Sequence, residues 1–181
     1  MDKIKIIAGL DIGNGYVKGA TKANDADNVN IDIPSCVAAV PNPTDLPATD
    51  IKNEIDNIFD RTTITFDSPL VTGIHATTRA YLGRRGVESG KSITAFDIES
   101  HVSKANQPLS AVLVLSIIAG AALQNYYRTK NALPTETIQV EAKTALALPI
   151  TEFKTYRDSF SEGFTKTTHI VCFHNFETPV R

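Results

Sequence analysis

Ile4-Lys5-Ile6-Ile7-Ala8-Gly9-Leu10-Asp11-Ile12-Gly13-Asn14-Gly15-Tyr16-Val17-Lys18 is the stretch that decides the fold. From Ile4 to Ile12 the run is apolar and of strand length, which predicts a buried strand. Gly13-Asn14-Gly15 turns the chain, Asn-Gly being the strongest short hairpin signal. Tyr16 to Thr21 returns as a second strand. Asn24-Asp25-Ala26-Asp27-Asn28 forms another turn, and Val29 to Ile33 alternates apolar and polar as a third strand. Strands joined by such short turns predict an antiparallel meander.

The same stretch carries chemistry. Asp11 ends the first strand immediately before the glycine-rich turn, and Lys18 follows it. Glycine lets backbone N–H groups approach an anion, because no Cβ intervenes. Asn14 adds a side-chain donor and Lys18 a positive charge. Asp11 repels phosphate, so it belongs in such a site only with a divalent metal, or the metal's water shell, between them. The unit suggests an Mg-nucleotide site. The competing reading is an ordinary hairpin that happens to begin with Asp and end with Lys.

Working outward, the character changes at Pro41-Asn42-Pro43-Thr44-Asp45-Leu46-Pro47, a loop whose prolines do not fit a regular ladder. Ile51, Ile55, Ile58 and Phe59 recur at helical spacing, with Thr49 or Asp50 as N-cap. Arg61–Phe66 and Leu70–His75 read as short strands, Thr77–Leu82 as a helical turn, and Gly83–Ser92 as a glycine-broken loop. Residues 35–107 read together as an inserted subdomain, leaving 1–34 and 108–181 as the core. Pro108 opens a helix, with Ser110 an early cap. Its residues Ala111 to Leu123 are apolar on nearly every side, which predicts burial on most faces. Ile138–Leu148 is the next strand, and Pro149 stops it. A helix from Thr151 aligns Phe153, Tyr156 and Phe160 and ends near Gly163. Thr168–Phe173 is a last strand.

Composition narrows the function. Lys plus Arg is 18 against 20 Asp plus Glu, a net charge of −2, which excludes a chain-wide basic surface for gripping nucleic acid. Cys36 and Cys172 form no disulfide framework or CxxC knuckle. The N-terminus lacks the pattern of a signal peptide, and Ala111–Leu123 falls short of a bilayer span of roughly 20 residues. The expectation is a cytoplasmic protein with no membrane partner.

Asp11-x-Gly13-x-Gly15-x-x-Lys18 resembles the first phosphate-binding hairpin of the actin-like ATPase superfamily. The order of the whole chain resembles the N-terminal domain of bacterial actin-like plasmid-segregation proteins of the ParM type. The likeness lies in the proline-rich approach to an insertion, the long apolar helix, and the strand Ala145-Leu146-Ala147-Leu148-Pro149 followed by Tyr156-Arg157 in a helix. The resemblance implies an α/β, ribonuclease-H-like domain: a mixed sheet with an antiparallel N-terminal meander, flanking helices and an inserted subdomain. It implies that Asp11 acts catalytically through the hydration shell of Mg²⁺, that Gly13, Asn14, Gly15 and Tyr16 lie along the phosphates, and that Lys18 contacts them. ATP or GTP with Mg²⁺ would be the cofactors. Self-assembly into filaments, with a DNA-binding adaptor rather than direct DNA contact, would be the partnerships. The superfamily's second Asp-x-Gly-rich hairpin, its adenosine pocket and its water-positioning residue have no counterpart in this sequence, so this chain alone is expected to be inactive. The rival readings are half of a sugar or small-molecule kinase of the same superfamily, and a non-catalytic assembly or adaptor domain.

Other motifs weigh less. Gly86-Val87-Glu88-Ser89-Gly90-Lys91-Ser92 resembles a P-loop, but the spacing would need glycine at Arg85. Strand alternation puts His169 opposite Cys172 and His174, too few ligands for zinc. Arg79, Arg84, Arg85 and Lys91 form a basic patch read as a solvated loop. Glu54, Asp56 and Asp60 read as the polar face of a helix.

Overall fold

The computed structural model describes residues 3–41, 49–100, 102–147 and 149–176. In chain order the elements are β1 (Ile4–Ile12), β2 (Tyr16–Ala23), β3 (Val29–Pro34), β4 (Cys36–Val40), α1 (Ile51–Asp56), β5 (Thr63–Asp67), α2 (Ile74–Thr77), β6 (Arg79–Leu82), α3 (Gly83–Glu88), β7 (Ile93–Ala95), α4 (Pro108–Lys130), β8 (Val140–Ala147), α5 (Ile150–Thr165) and β9 (Ile170–Phe173). A 3-10 turn at Lys104–Asn106 leads into α4. The proline loop expected from Pro41 to Pro47 lies, beyond Pro41, outside the described residues.

The strands make two sheets, ordered β3-β2-β1-β8 and β7-β4-β6-β5-β9. In the first, the meander pairs antiparallel as its turns dictate, and β8 joins β1 in parallel, so the sheet is mixed. Burial alternates along β1. Ile4, Ile6, Ala8, Leu10 and Ile12 are buried, while Lys5, Ile7, Gly9 and Asp11 are exposed on the other face.

Helix α4 packs on the apolar face of this sheet, against β1 and β2. Val112, Leu113, Val114 and Ile117 are all but inaccessible. Pro108 sits at the helix start, where its missing N–H costs nothing. Asn131 ends the helix in a left-handed conformation (φ 50°), donating its N–H to the Tyr127 carbonyl at 2.7 Å. Gln124, buried in the helix, donates to the Ile55 carbonyl at 3.0 Å and ties α4 to α1. By length and hydropathy α4 could cross a membrane, but 78% of its most apolar stretch is buried inside the protein, as in a core helix. Ser110 does not cap it. Its hydroxyl donates to the Lys104 carbonyl at 2.7 Å, inside the turn before the helix.

The second sheet corrects several local expectations. Asp50 caps α1, accepting the Asn53 N–H at 3.0 Å, but the helix stops at Asp56, and Ile58 and Phe59 are buried beyond it. Arg79–Leu82 is a strand rather than a helical turn, because β4 and β5 flank it and Ala80, Tyr81 and Leu82 are buried. Leu70–His75 is no strand; a short helical turn starts at Ile74. Gly83–Glu88 is a helix rather than a loop. Gly83 begins it at φ +57°, where a Cβ would sit 2.3 Å from an Asp60 carboxylate oxygen. That carboxylate accepts the Arg84 N–H at 2.7 Å and pairs with the Arg84 side chain at 2.9 Å. Asp60 is therefore a remote cap for α3 and no part of a helix face. β9, from beyond α5, supplies the fifth strand by pairing with β5. Gly163 does not end α5; it gives the Leu70 side chain a place to pack.

Candidate functional site

The β1–β2 hairpin is closed by the Gly13 N–H donating to the Tyr16 carbonyl at 3.0 Å. A Cβ on Gly13 would fall 2.7 Å from that carbonyl oxygen, so the turn needs glycine there. Gly15 has nothing within 4 Å of where its Cβ would stand, and Asn14, Gly15 and Tyr16 are exposed. The tip therefore offers backbone and the Asn14 side chain to open space.

Register places the charged groups. Asp11 pairs with Lys18, and Lys18 pairs with Asp32 on β3. All three are exposed, so they form one row across the sheet face opposite α4. Beside this row lies another of small residues, Ala20, Gly9 and Ala145, which keeps the floor clear. Asp11 also pairs with Ala147, so β1 and β8 end side by side with their carboxyl ends together. Ligands of open α/β sheets bind outside such carboxyl ends.

After β8 the chain passes Pro149 and starts α5, whose first turn carries Glu152. Ser103 donates its hydroxyl to Glu152 Oε2 at 2.5 Å. Its neighbour Lys104 donates its Nζ to the Ile12 carbonyl at 3.0 Å, immediately before the hairpin turn. The structure thus gathers the hairpin residues Asp11, Gly13, Asn14, Gly15, Tyr16 and Lys18, together with Asp32, Lys104 and Glu152, at one end of the sheet. The sequence reading missed Asp32; the alternation of Ile31 and Ile33 is the signal that could have marked it as facing away from the core. Nothing in the sequence placed Lys104 or Glu152 there, since both arrive through contacts distant along the chain.

An exposed carboxylate at a strand end, an uncrowded glycine tip and a lysine paired across from that carboxylate suit a magnesium-bound polyphosphate. The other motifs do not assemble. No group of three or more potential metal ligands occurs among the described residues. His169 precedes β9 and meets the Ser68 hydroxyl at 2.8 Å, whereas His174 meets the Thr65 hydroxyl at 2.9 Å. Gly86 of the P-loop look-alike is buried in α3 against the Tyr81 carbonyl. In the basic patch, Arg84 is paired with Asp60 and Arg85 lies over the Tyr81 ring.

A mixed sheet with an N-terminal antiparallel meander, flanked by helices and joined to a second sheet, is the architecture of the actin-like, ribonuclease-H-like class. Within that class the chain has the ParM-type fold. It superposes on Bacillus thuringiensis ParM in apo form with a TM-score of 0.68 and 16% identity, over 97% of this chain and 43% of that one. For the same protein with ATP the values are 0.65 and 17%, over 97% and 42%. For the 15-stranded ParM filament from Clostridium botulinum they are 0.56 and 20%, over 100% and 45%. The chain spans less than half the length of each of these proteins. No family model and no curated protein matches the sequence.

Proposed function

We propose that this chain is the N-terminal half of an actin-like, filament-forming ATPase that serves plasmid DNA segregation, and that its β1–β2 hairpin is the first phosphate cradle of an Mg-ATP or Mg-GTP cleft. The observation that carries the reading is the Asp11–Lys18 hairpin at the carboxyl ends of β1 and β8, in a chain with the ParM-type fold. Residues 1–34 and 108–181 are then the core and 35–107 the inserted subdomain, except that β9 pairs into the inserted segment's sheet. The intact protein would assemble into filaments and reach DNA through an adaptor.

The chain's own residues divide the work. Gly13, Asn14, Gly15 and Tyr16 offer donors along the phosphates, and Lys18 offers charge. Asp11 orders the water shell of Mg²⁺. The metal, when bound, neutralises charge on the phosphates as they transfer. Glu152, oriented by Ser103 at the adjoining strand end, supplies a carboxylate suited to orienting an attacking water.

The test uses the intact protein. Asp11→Ala should lower turnover by on the order of a hundredfold while changing nucleotide affinity less than about tenfold, because its metal interaction matters most in the transition state. Lys18→Ala should instead weaken Mg-ATP binding itself by about tenfold or more. Melting temperature separates these effects from unfolding. A folded Asp11→Ala variant with wild-type turnover would sink the nucleotide reading and favour a non-catalytic assembly domain.

A further inference from the structure

Lys104 is separated from Ile12 by 92 positions in the chain, yet its ammonium reaches the Ile12 carbonyl at 3.0 Å, one residue before Gly13. The position is fixed firmly. The Lys104 carbonyl accepts the Gln107 N–H at 3.1 Å and the Ser110 hydroxyl at 2.7 Å. Its side chain crosses the ring of Phe96, Nζ standing 5.3 Å from the centroid, and Phe96 is itself buried. Lys104 is partly buried, and none of the ion pairs among the described residues involves it.

A partly desolvated ammonium normally recruits a carboxylate, since taking a charge out of water is costly. This one is held by a neutral carbonyl and an aromatic face, which leave its full charge and two of its three N–H donors available. It stands at the base of a glycine turn whose tip is open. Lys18, by contrast, sits on the exposed sheet face in register with two carboxylates, Asp11 and Asp32.

We propose that Lys104 is a second phosphate-directed cation of the hairpin, placed there to hold a nucleoside di- or triphosphate. The inference rests on the nucleotide reading above and adds a residue to that site. Because Lys104 adjoins Ser103, which holds Glu152, the same turn sets both the cation and the carboxylate.

The experiment titrates the intact wild-type, Lys104→Met and Lys104→Arg proteins with Mg-ADP and with adenosine by calorimetry, alongside thermal melting. Methionine keeps the stem over Phe96 and removes the charge. The proposal expects Lys104→Met to bind Mg-ADP about tenfold more weakly, the scale of one charge-assisted contact, with adenosine binding unchanged within about twofold. The loss should shrink as salt rises. Lys104→Arg should recover most of the affinity. Lys104→Met binding Mg-ADP as wild type does overturns the proposal. So does an equal loss for Mg-ADP and adenosine, which marks a hairpin clamp acting through the fold. A wild-type protein that binds no Mg-ADP overturns this inference and the nucleotide reading together.

Discussion

Helices α4 and α5 both carry large apolar side chains, and the fold treats them in opposite ways. From Leu109 to Leu123, α4 is buried on most of its circumference, between the first sheet and α1. In α5 no residue is buried, and Phe153 is 46% exposed. Between the two helices and β8 lies an open groove of about 850 Å³, lined by Val114, Ile118, Leu146, Phe160 and Phe164 among others. The strand after α5 is held by its ladder with β5, whereas α5 and the turns around it are held by discrete links. Ser103 bonds Glu152, Leu70 packs at Gly163, and His169 meets Ser68. Asn175, just past β9, accepts from the Thr62 hydroxyl and the Thr63 N–H and donates to Glu54 and the Arg61 carbonyl. Apolar composition sets what a helix is able to bury; the neighbours it meets set what it does bury.

The largest test of that contrast is a pair of truncations. Leu113→Ala removes a fully buried side chain from α4 and should cost about 2–5 kcal/mol of stability. Phe153→Ala on α5 should cost less than about 1 kcal/mol, in keeping with its exposure. Urea unfolding of both variants reads the difference, and equal losses would erase the distinction between the helices.

Asn175→Ala sharpens it from the other side. The buried amide satisfies two donors and one carbonyl, so its loss should cost about 1–3 kcal/mol. Hydrogen exchange should rise in α5 and β9 before it rises in α4. Uniform acceleration through both helices would show that the C-terminal arm and the core open as one unit.

The smallest expected effect is a pH dependence carried by His174 of that arm and His75 on α2. Burial, reinforced by the Arg79 charge, holds the His174 imidazole below the ordinary histidine value of 6.5. Burial alone lowers His75 in the same direction. A folded pKa below the unfolded one means that the unfolded chain takes up protons first. The stabilisation is fully present above about pH 6.5 and is lost as pH falls through that value towards the folded pKa. Melting temperature should therefore decline as the solution is acidified from about pH 7 to pH 5. His75→Leu combined with His174→Gln should flatten that slope; an unchanged slope would assign the acid sensitivity to other groups.

The meander, its turns, the long apolar helix and the Asp11-to-Lys18 hairpin were legible in the sequence, because alternation and turn chemistry act over a few residues. Where the reading failed, long-range contacts had overridden local preference. Arg79–Leu82 is a strand because β4 and β5 lie on either side, and Gly83–Glu88 is helical because Asp60, more than twenty residues earlier, caps it. The candidate site divides along the same line. Its hairpin is local and could be written down from Asp11 to Lys18 alone. Lys104 and Glu152 join it only because α4 and β8 pack on β1, bringing together groups that no short-range rule relates.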